Sequence, residues 1–153
     1  MKEKPSLHQL KETSWAIAEL MPNVIRGAQL DFFAKNQVTQ TQFLVLAAIF
    51  SYKRCTMGHL AGSLHVTMPT MSGIVERLVQ AKYVQRVENP EDRREVRVHL
   101  TKAGAEIIAK FQEAVSQRWE VVLQGLNNDD VKTMAGIIGK LKGSLRPDGV
   151  NNA

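Results

Sequence analysis

The sequence has few of the features that mark secreted and membrane proteins. Among its 153 residues there is a single cysteine, Cys55, which excludes an internal disulfide framework and is typical of a reducing compartment. No unbroken apolar run reaches the ~18 residues that a membrane-spanning helix needs, and residues 1–15 lack the apolar core of a signal peptide. We therefore expect a soluble, cytoplasmic protein with no membrane partner.

Patterns for metal ligation and catalysis are also missing. The histidines have no metal-like spacing, which favours structural or surface roles; they are His8, His59, His65 and His99. The stretch NNDD, residues 127–130, is typical of a helix cap, because it lacks the alternating oxygen ligands and central glycine of a calcium loop. Glu91 and Asp92 lie on a predicted exposed tip without a pocket, a positioned nucleophile or a phosphate-binding loop. We predict that the protein is not an enzyme and uses no metal or cofactor.

Length, composition and charge indicate one folded unit with a mildly basic surface. Hydrophobic residues make up 44% of the chain, which is enough to bury a core, and the length suits a single domain, residues 1–153. The formal net charge is +5 and the isoelectric point is near 9.5. This balance favours an anionic partner without identifying it, since many basic proteins bind no anion.

Periodic apolar residues predict helices in the first third of the chain. In residues 5–35 they recur on one helical face, at Leu7, Leu10, Ile17, Leu20, Val24 and Ile25. Pro22 removes a backbone donor and crowds the preceding turn, so we expect a kink or break between Leu20 and Pro22. A second helix is predicted after Thr39, whose side chain can form a capping box with Gln42.

Two further helices joined by a short turn form a helix-turn-helix pattern. The first is predicted in TMGHLAGSLHV, residues 56–66, and the second in TMPTMSGIVERLVQAKYV, residues 67–84. Thr67 is a good N-cap for the second helix, and Pro69 falls in the first turn, where a missing N–H costs little. Its predicted inward stripe is Ile74, Val75, Leu78 and Val79, which leaves Thr70, Met71, Gly73 and Arg77 on the other side.

After Lys82 the apolar period changes from about 3.6 to 2 residues, which predicts two strands. They are YVQRVE, residues 83–88, and EVRVHLT, residues 95–101. The segment NPEDRR between them contains asparagine, proline and aspartate, which favour a turn. A β-hairpin directly after a recognition-type helix is the wing of a winged helix, which we assign to residues 37–101.

Amphipathic helices are predicted on both sides of the winged helix, in residues 5–35 and 102–146. One winged helix cannot easily cover the apolar faces of both regions. We therefore expect a symmetric homodimer that buries them, since closed twofold association is the commonest solution. The predicted fold class is mainly α with a small β-hairpin wing: a winged helix-turn-helix flanked by N- and C-terminal dimerisation helices.

Three stretches carry a family resemblance: TQTQFLVLAAI, GHLAGSLHVTMPTMSGIVERLVQAKYVQR and NPEDRREVRVHLTKAG. From roughly Val24 to Phe111 the chain resembles the multiple antibiotic resistance regulator (MarR) family of bacterial transcription factors. The last stretch is similar to the family's wing signature, with Asp92, Arg94 and Arg97 ahead of Leu-Thr and a glycine-containing helix start. The resemblance implies a homodimeric DNA-binding regulator of a near-palindromic site. Such a regulator is usually a repressor, often tuned by a small-molecule effector or an oxidant.

The second helix of a winged helix enters the major groove, which makes its first turns the candidate reading surface. Thr67, Thr70 and Ser72 are candidates for base edges or phosphates, and Met68 and Met71 for thymine methyl groups. Family recognition helices often carry basic residues in these turns, whereas this chain does not, so a more apolar or shape-based readout is expected. The alternative is that these residues are only caps and exposed filler. Arg77 is assigned either to a phosphate or to an internal ion pair.

The wing offers a second candidate DNA contact. Arg93 and Arg94 at the hairpin tip can enter the minor groove, where narrow A·T-rich segments attract guanidinium groups. Asp92 is predicted to shape the tip by pairing with Arg94 or Arg97, and Arg97 either braces the hairpin or binds DNA. The alternative is a solvated run of surface charge. Further phosphate candidates are Lys53, Arg54 and Arg86.

Sensing residues are less well marked. Trp15, Tyr52 and Trp119 are candidates to line an effector cavity, with core packing as the competing role. For Cys55 a buried, hydrophobic position is favoured over a redox switch, because only Lys53 and Arg54 suggest a reactive thiol. The alternative function is a winged helix that binds RNA or another protein.

Overall fold

The computed structural model describes residues 4–52, 55–88 and 95–144. In chain order the elements are α1 (Leu7–Lys35), α2 (Gln40–Ser51), α3 (Met57–Ser63), α4 (Met68–Gln80), β1 (Val84–Glu88), β2 (Val96–Leu100), α5 (Lys102–Leu123) and α6 (Asn128–Ser144). The predicted fold class, mainly α with one hairpin, is confirmed. Within the described ranges no helix has both the length and the apolar character needed to cross a bilayer.

The helices begin where short polar side chains can replace missing backbone partners. Thr39 caps α2 as predicted: its side-chain oxygen accepts from the Gln42 N–H at 3.2 Å, and the Gln42 side chain accepts from the Thr39 N–H at 2.9 Å. Ser6 and Gln9 form the same reciprocal arrangement at the start of α1. Such caps contribute about 1 kcal/mol each and define where a helix starts.

Helix α1 continues without interruption through Pro22, so a break between Leu20 and Pro22 is wrong, and the alternative of a kink stays a prediction. Proline at this position removes one hydrogen bond, the one to the carbonyl of Ala18. Ala18 is exposed, so water can hydrate its carbonyl. The bonds on either side of Pro22 are sufficient to continue the helix.

The hydrophobic core lies where the helix-turn-helix, the hairpin and the flanking helices meet. Leu46, Leu60 and Leu78 are fully buried within it. Phe32 from α1 and Phe111 from α5 stack edge-on with ring centroids 5.3 Å apart. The winged-helix core is therefore closed by side chains from outside residues 37–101, and the division into a core and two flanking regions stays a prediction.

The two strands that the period-2 pattern predicted form an antiparallel ladder. In it Val84 pairs with Leu100 and Glu88 with Val96. Strand β2 is also attached to the chain before α3: the Val98 N–H donates to the Cys55 carbonyl at 2.8 Å. Val98 is buried, whereas its neighbour His99 is exposed. The base of the hairpin is thus part of the folded core.

Several large apolar side chains remain exposed in the single chain. In α6, all of whose residues are described, none is buried. The exposed set on α1, the end of α5 and α6 includes Leu7, Leu10, Trp15, Ile17, Leu20, Val121, Val122, Val131, Ile137, Ile138 and Leu141. On the predicted inward face of α1, Val24 is therefore buried and Ile25 half-buried, whereas the residues of the first half are exposed.

Candidate nucleic-acid interface

The first turns of α4 expose mostly small side chains, none of which is charged. Thr67 caps the helix as predicted, accepting from the Thr70 N–H at 3.4 Å, and the two threonine hydroxyl oxygens lie 2.9 Å apart. Met68 is 47% exposed and Ser72 is half-buried. One turn further on, Arg77 is exposed and carries a positive charge. This surface presents hydroxyl groups and a thioether to a partner, with the guanidinium further along.

The prediction that Met71 contacts DNA is wrong, because its side chain is fully buried. Met71, Val75 and Leu78 recur at i, i+4 and i+7 and form the inward stripe of α4. Val79, which was predicted to face inward, is 37% exposed. The inward stripe of α4 therefore includes Met71 and leaves out Val79.

Arg86 connects the wing to the recognition-type helix. It lies on β1, and its guanidinium donates to the carbonyl oxygen of Ser72 at 3.4 Å. Both residues are candidates from the sequence, and the structure brings them together. The contact holds a positive charge beside the second turn of α4.

Arg97 has a partner within the wing. Its Nε donates to the Glu95 Oε1 at 2.8 Å, and its backbone forms an isolated bridge with Thr56. The side chains are 26% and 37% exposed, so the ion pair contributes at most about 1 kcal/mol. This geometry supports the interpretation of Arg97 as a brace of the hairpin.

Five other candidates lie outside the described residues and stay predictions: Lys53, Arg54, Asp92, Arg93 and Arg94. The pairing proposed between Asp92 and either Arg94 or Arg97 belongs to this group.

Cys55 is buried beneath β2, as the sequence analysis favoured. Its side chain is 2% exposed, and burial raises the pKa of the thiol from 9.0 to about 11. The thiolate is the reactive form, so a raised pKa makes the group inert near neutral pH. The position of Cys55 thus supports a packing role.

The three aromatic candidates for an effector site lie in different environments. Trp15 is 70% exposed on α1 and donates to Glu19 at 3.0 Å. Tyr52 stacks edge-on against His59 with centroids 4.4 Å apart, and Trp119 is half-buried on α5. The three lie on different elements: α1, the end of α2 and α5.

A cleft of about 530 Å³ lies between the end of α1 and the middle of α5, and none of the three aromatics lines it. Its lining is Asp31, Phe32, Lys35, Asn36, Ala109, Lys110, Glu113, Ala114 and Gln117. Asp31 also accepts from Arg118 at 2.5 Å across the two helices. Sequence reasoning missed this cleft, because its two sides are more than 70 positions apart in the chain.

Metal binding finds no support in the part of the chain that the structure describes. No group of three or more histidine, cysteine, aspartate or glutamate side chains there is placed to hold an ion. For the whole chain, the expectation that the histidines have structural or surface roles stays a prediction.

The chain is similar to known transcriptional regulators along most of its length. The MarR family model matches residues 38–96. The HTH-type transcriptional repressor NicR of Pseudomonas putida is 30% identical over 82% of this chain and 84% of its own length. The multiple antibiotic resistance protein MarR of Escherichia coli is 30% identical over 72% of this chain and 78% of its own.

The fold is also shared with a solved structure. Transcriptional regulator Tm0710 from Thermotoga maritima superposes with a TM-score of 0.79 at 23% identity, covering 93% of this chain and 99% of that one. The helix-turn-helix, the hairpin wing and the exposed first turn of α4 fit a DNA-binding regulator. The relatives are named as regulators too. The chain belongs to the MarR family of DNA-binding transcriptional regulators.

Proposed function

We propose that the protein is a homodimeric repressor that binds a near-palindromic DNA site and is released from it by a small-molecule effector. The observation that carries the homodimer is the exposed apolar face of α6. Val131, Ile138 and Leu141 recur on this face at spacings of seven and three residues, and no residue of the helix is buried in the single chain. A helix with such a face is stable only when a second surface covers it.

A second copy of the chain is the partner that best fits this face. The first half of α1 offers a complementary exposed stripe at Leu7, Leu10 and Ile17, with the same three- and seven-residue spacings. In a twofold dimer each stripe meets its counterpart without an additional protein. We accordingly assign residues 5–35 and 102–146 to dimerisation and residues 37–101 to DNA binding.

In this proposal the exposed first turns of α4 read the major groove. Thr67, Thr70 and Ser72 supply hydroxyl groups, and Met68 supplies an apolar contact for a thymine methyl. Arg77 and Arg86 neutralise phosphates beside this surface. Because the first two turns of α4 carry no basic side chain, sequence preference comes from apolar contacts and DNA shape more than from arginine–guanine pairs.

Two further observations favour repression and release by an effector. Repression is supported by the relative NicR, which is named a repressor. The α1–α5 cleft is the candidate effector site, since it combines an apolar floor at Phe32 with lysines and carboxylates at its edges. A ligand there contacts both α1, which carries the dimer stripe, and α5, which adjoins the wing. A DNA partner and a buried thiol both fit a cytoplasmic location.

The test of DNA binding is a salt titration of Arg77→Ala. Selection from a random duplex pool first supplies the bound sequence, which we expect to be twofold symmetric. If Arg77 neutralises one phosphate, its loss weakens affinity and lowers the slope of log affinity against log salt by about one unit. The matched control is Arg26→Ala, which removes an exposed arginine from α1.

Equal slopes for the wild type and Arg77→Ala contradict the phosphate assignment. If an excess of unspecific competitor DNA removes all binding to the selected duplex, sequence-specific recognition is contradicted. That result favours the alternative of an RNA- or protein-binding module.

A further inference from the structure

Thr101 joins three segments of the chain at the point where the wing meets α5. Its backbone N–H donates to the Tyr83 carbonyl at 3.0 Å, and its hydroxyl donates to the Lys82 carbonyl at 2.6 Å. The same hydroxyl oxygen accepts from the Gly104 N–H at 3.1 Å and so caps α5. The Thr101 side chain thus ties the turn between α4 and β1 to the first turn of α5, and its backbone N–H adds a second bond to the same turn. We call Lys82, Tyr83, Thr101 and Gly104 the junction.

Gly104 shows how closely α5 approaches the wing in this junction. A Cβ atom at this position would lie 2.0 Å from the carbonyl oxygen of Tyr83 and 3.0 Å from its carbonyl carbon. The neighbour is backbone, which cannot move aside like a flexible side chain. Any side chain at residue 104 therefore forces the first turn of α5 away from the hairpin.

The other side of the junction is equally constrained. Lys82 has a φ of 62°, the left-handed region, which turns the chain sharply between α4 and β1. The Tyr83 N–H then donates to the carbonyl of Leu78 inside α4 at 2.9 Å. Tyr83 is consequently bonded to α4 through its N–H and to Thr101 through its carbonyl.

Packing adds a second point of attachment one turn further along α5. Ile107 and Ile108 are buried in the same core as Leu78 and Val98. A helix held both at its first turn and one turn later cannot pivot about its own start. The recognition helix α4, the base of the wing and the first half of α5 therefore form one rigid unit.

We propose that Thr101 is a positioning residue that fixes the angle between α4 and α5, and thereby sets the half-site spacing that the dimer accepts. The inference rests on the proposed homodimer, in which α5 belongs to the dimerisation region. In a twofold dimer the separation of the two α4 helices depends on how each α4 is held on its own α5. Adding one base pair between half-sites shifts one of them by about 3.4 Å and rotates it by about 35°. A rigid junction resists that change, whereas a loosened one follows it.

The test compares Thr101→Val with Thr101→Ser on duplexes that carry the selected half-sites at the preferred spacing and at one base pair more or less. Valine keeps the branched shape of threonine but lacks the hydroxyl, so it loses the bonds to Lys82 and Gly104. Serine keeps the hydroxyl. We expect the wild type and Thr101→Ser to lose about tenfold in affinity at the wrong spacing, and Thr101→Val to lose about threefold or less.

Each outcome separates this inference from the proposed function. If the wild type prefers one spacing and Thr101→Val keeps the same ratio of affinities, or weakens equally at all spacings, Thr101 is only a helix cap and the inference is wrong while the homodimer stands. A wild type with no symmetric site and no preferred spacing overturns the proposed function, and the inference with it.

Amide hydrogen exchange of the wild type gives a readout that does not depend on folding of a variant. The N–H groups of Tyr83, Thr101 and Gly104 are expected to exchange within about tenfold of those of Val75 and Leu78 in α4, because one cooperative unit opens together. Exchange at the junction that is as fast as in an exposed loop, with α4 still protected, shows a hinge there and overturns the inference.

Discussion

The thiol of Cys55 links a local burial to the stability of the whole chain. The backbone carbonyl of Cys55 accepts a hydrogen bond from Val98 in β2, and the Cys55 side chain fills the core beneath the hairpin. Burial raises the pKa of the thiol to about 11, because the thiolate loses its hydration inside the protein. The unfolded chain therefore releases the proton at a lower pH than the folded one.

The wild type should lose stability relative to Cys55→Ala as the pH rises from 9 to 11. Below pH 9 the thiol is protonated in both states, so its full contribution is present. Between the two pKa values only the unfolded state ionises, and the unfolding free energy falls by up to about 1.4 kcal/mol per pH unit, about 2 to 3 kcal/mol in total. Urea denaturation of both proteins at pH 8, 9, 10 and 11 measures this difference. A gap between the two that stays constant across this range contradicts the raised pKa.

At the scale of a single element, α4 carries two methionines with opposite roles. Met68 is exposed at the start of the helix, and Met71 is fully buried less than one turn later. The cap at Thr67 was predictable, since a threonine before a proline-containing first turn is a local signal. The burial of Met71 was not, because it depends on which face of α4 meets α2 and β1.

Met71→Ala is expected to lower the unfolding free energy by about 2 to 5 kcal/mol, because it leaves a cavity in the core. Met68→Ala is the matched control and should change stability by less than about 0.5 kcal/mol. Met68→Ala should instead lower the affinity for DNA while the free energy of unfolding stays the same. Chemical denaturation and DNA titration of both variants check this pattern. The reverse pattern would show that the two side chains have been assigned to the wrong faces.

At the scale of the whole molecule, the single chain leaves large apolar side chains uncovered. They include Ile137, Ile138 and Leu141 on α6 and the stripe on the first half of α1. The apolar period of these helices could be recognised in the sequence, and it predicted the need for a partner surface. The register in which two copies meet depends on side chains of both chains at once.

Leu141→Glu should weaken the homodimer, raising its dissociation constant by about tenfold or more, because a carboxylate would be buried at an apolar contact. Lys132→Glu is the control: it lies nine positions away, half a turn round the helix, and adds the same side chain on the opposite face. Sedimentation velocity across a concentration series measures both. A monomeric wild type, or equal dissociation constants for the two variants, contradicts the proposed interface.

Features that depend on neighbours along the chain could be predicted from the amino-acid sequence alone. Thr39 with Gln42 and Thr67 mark helix starts, and the alternation from Val96 to Leu100 marks a strand, because capping and pleating act over two to four residues. The wing signature and the helix-turn-helix likewise pointed to the family. Pro22 shows the limit of this logic, since a locally unfavourable residue is tolerated within a 29-residue helix.

Features that depend on contacts between distant parts of the chain could not be predicted in this way and came from the folded structure. The fold buried Met71, brought Arg86 to the carbonyl of Ser72, opened a cleft between α1 and α5, and placed Thr101 and Gly104 against Lys82 and Tyr83. Each of these is set by close packing between elements, where a shift of one ångström decides whether a contact exists. Periodicity in a sequence gives the faces of a helix, but the partner that covers each face is chosen by the fold.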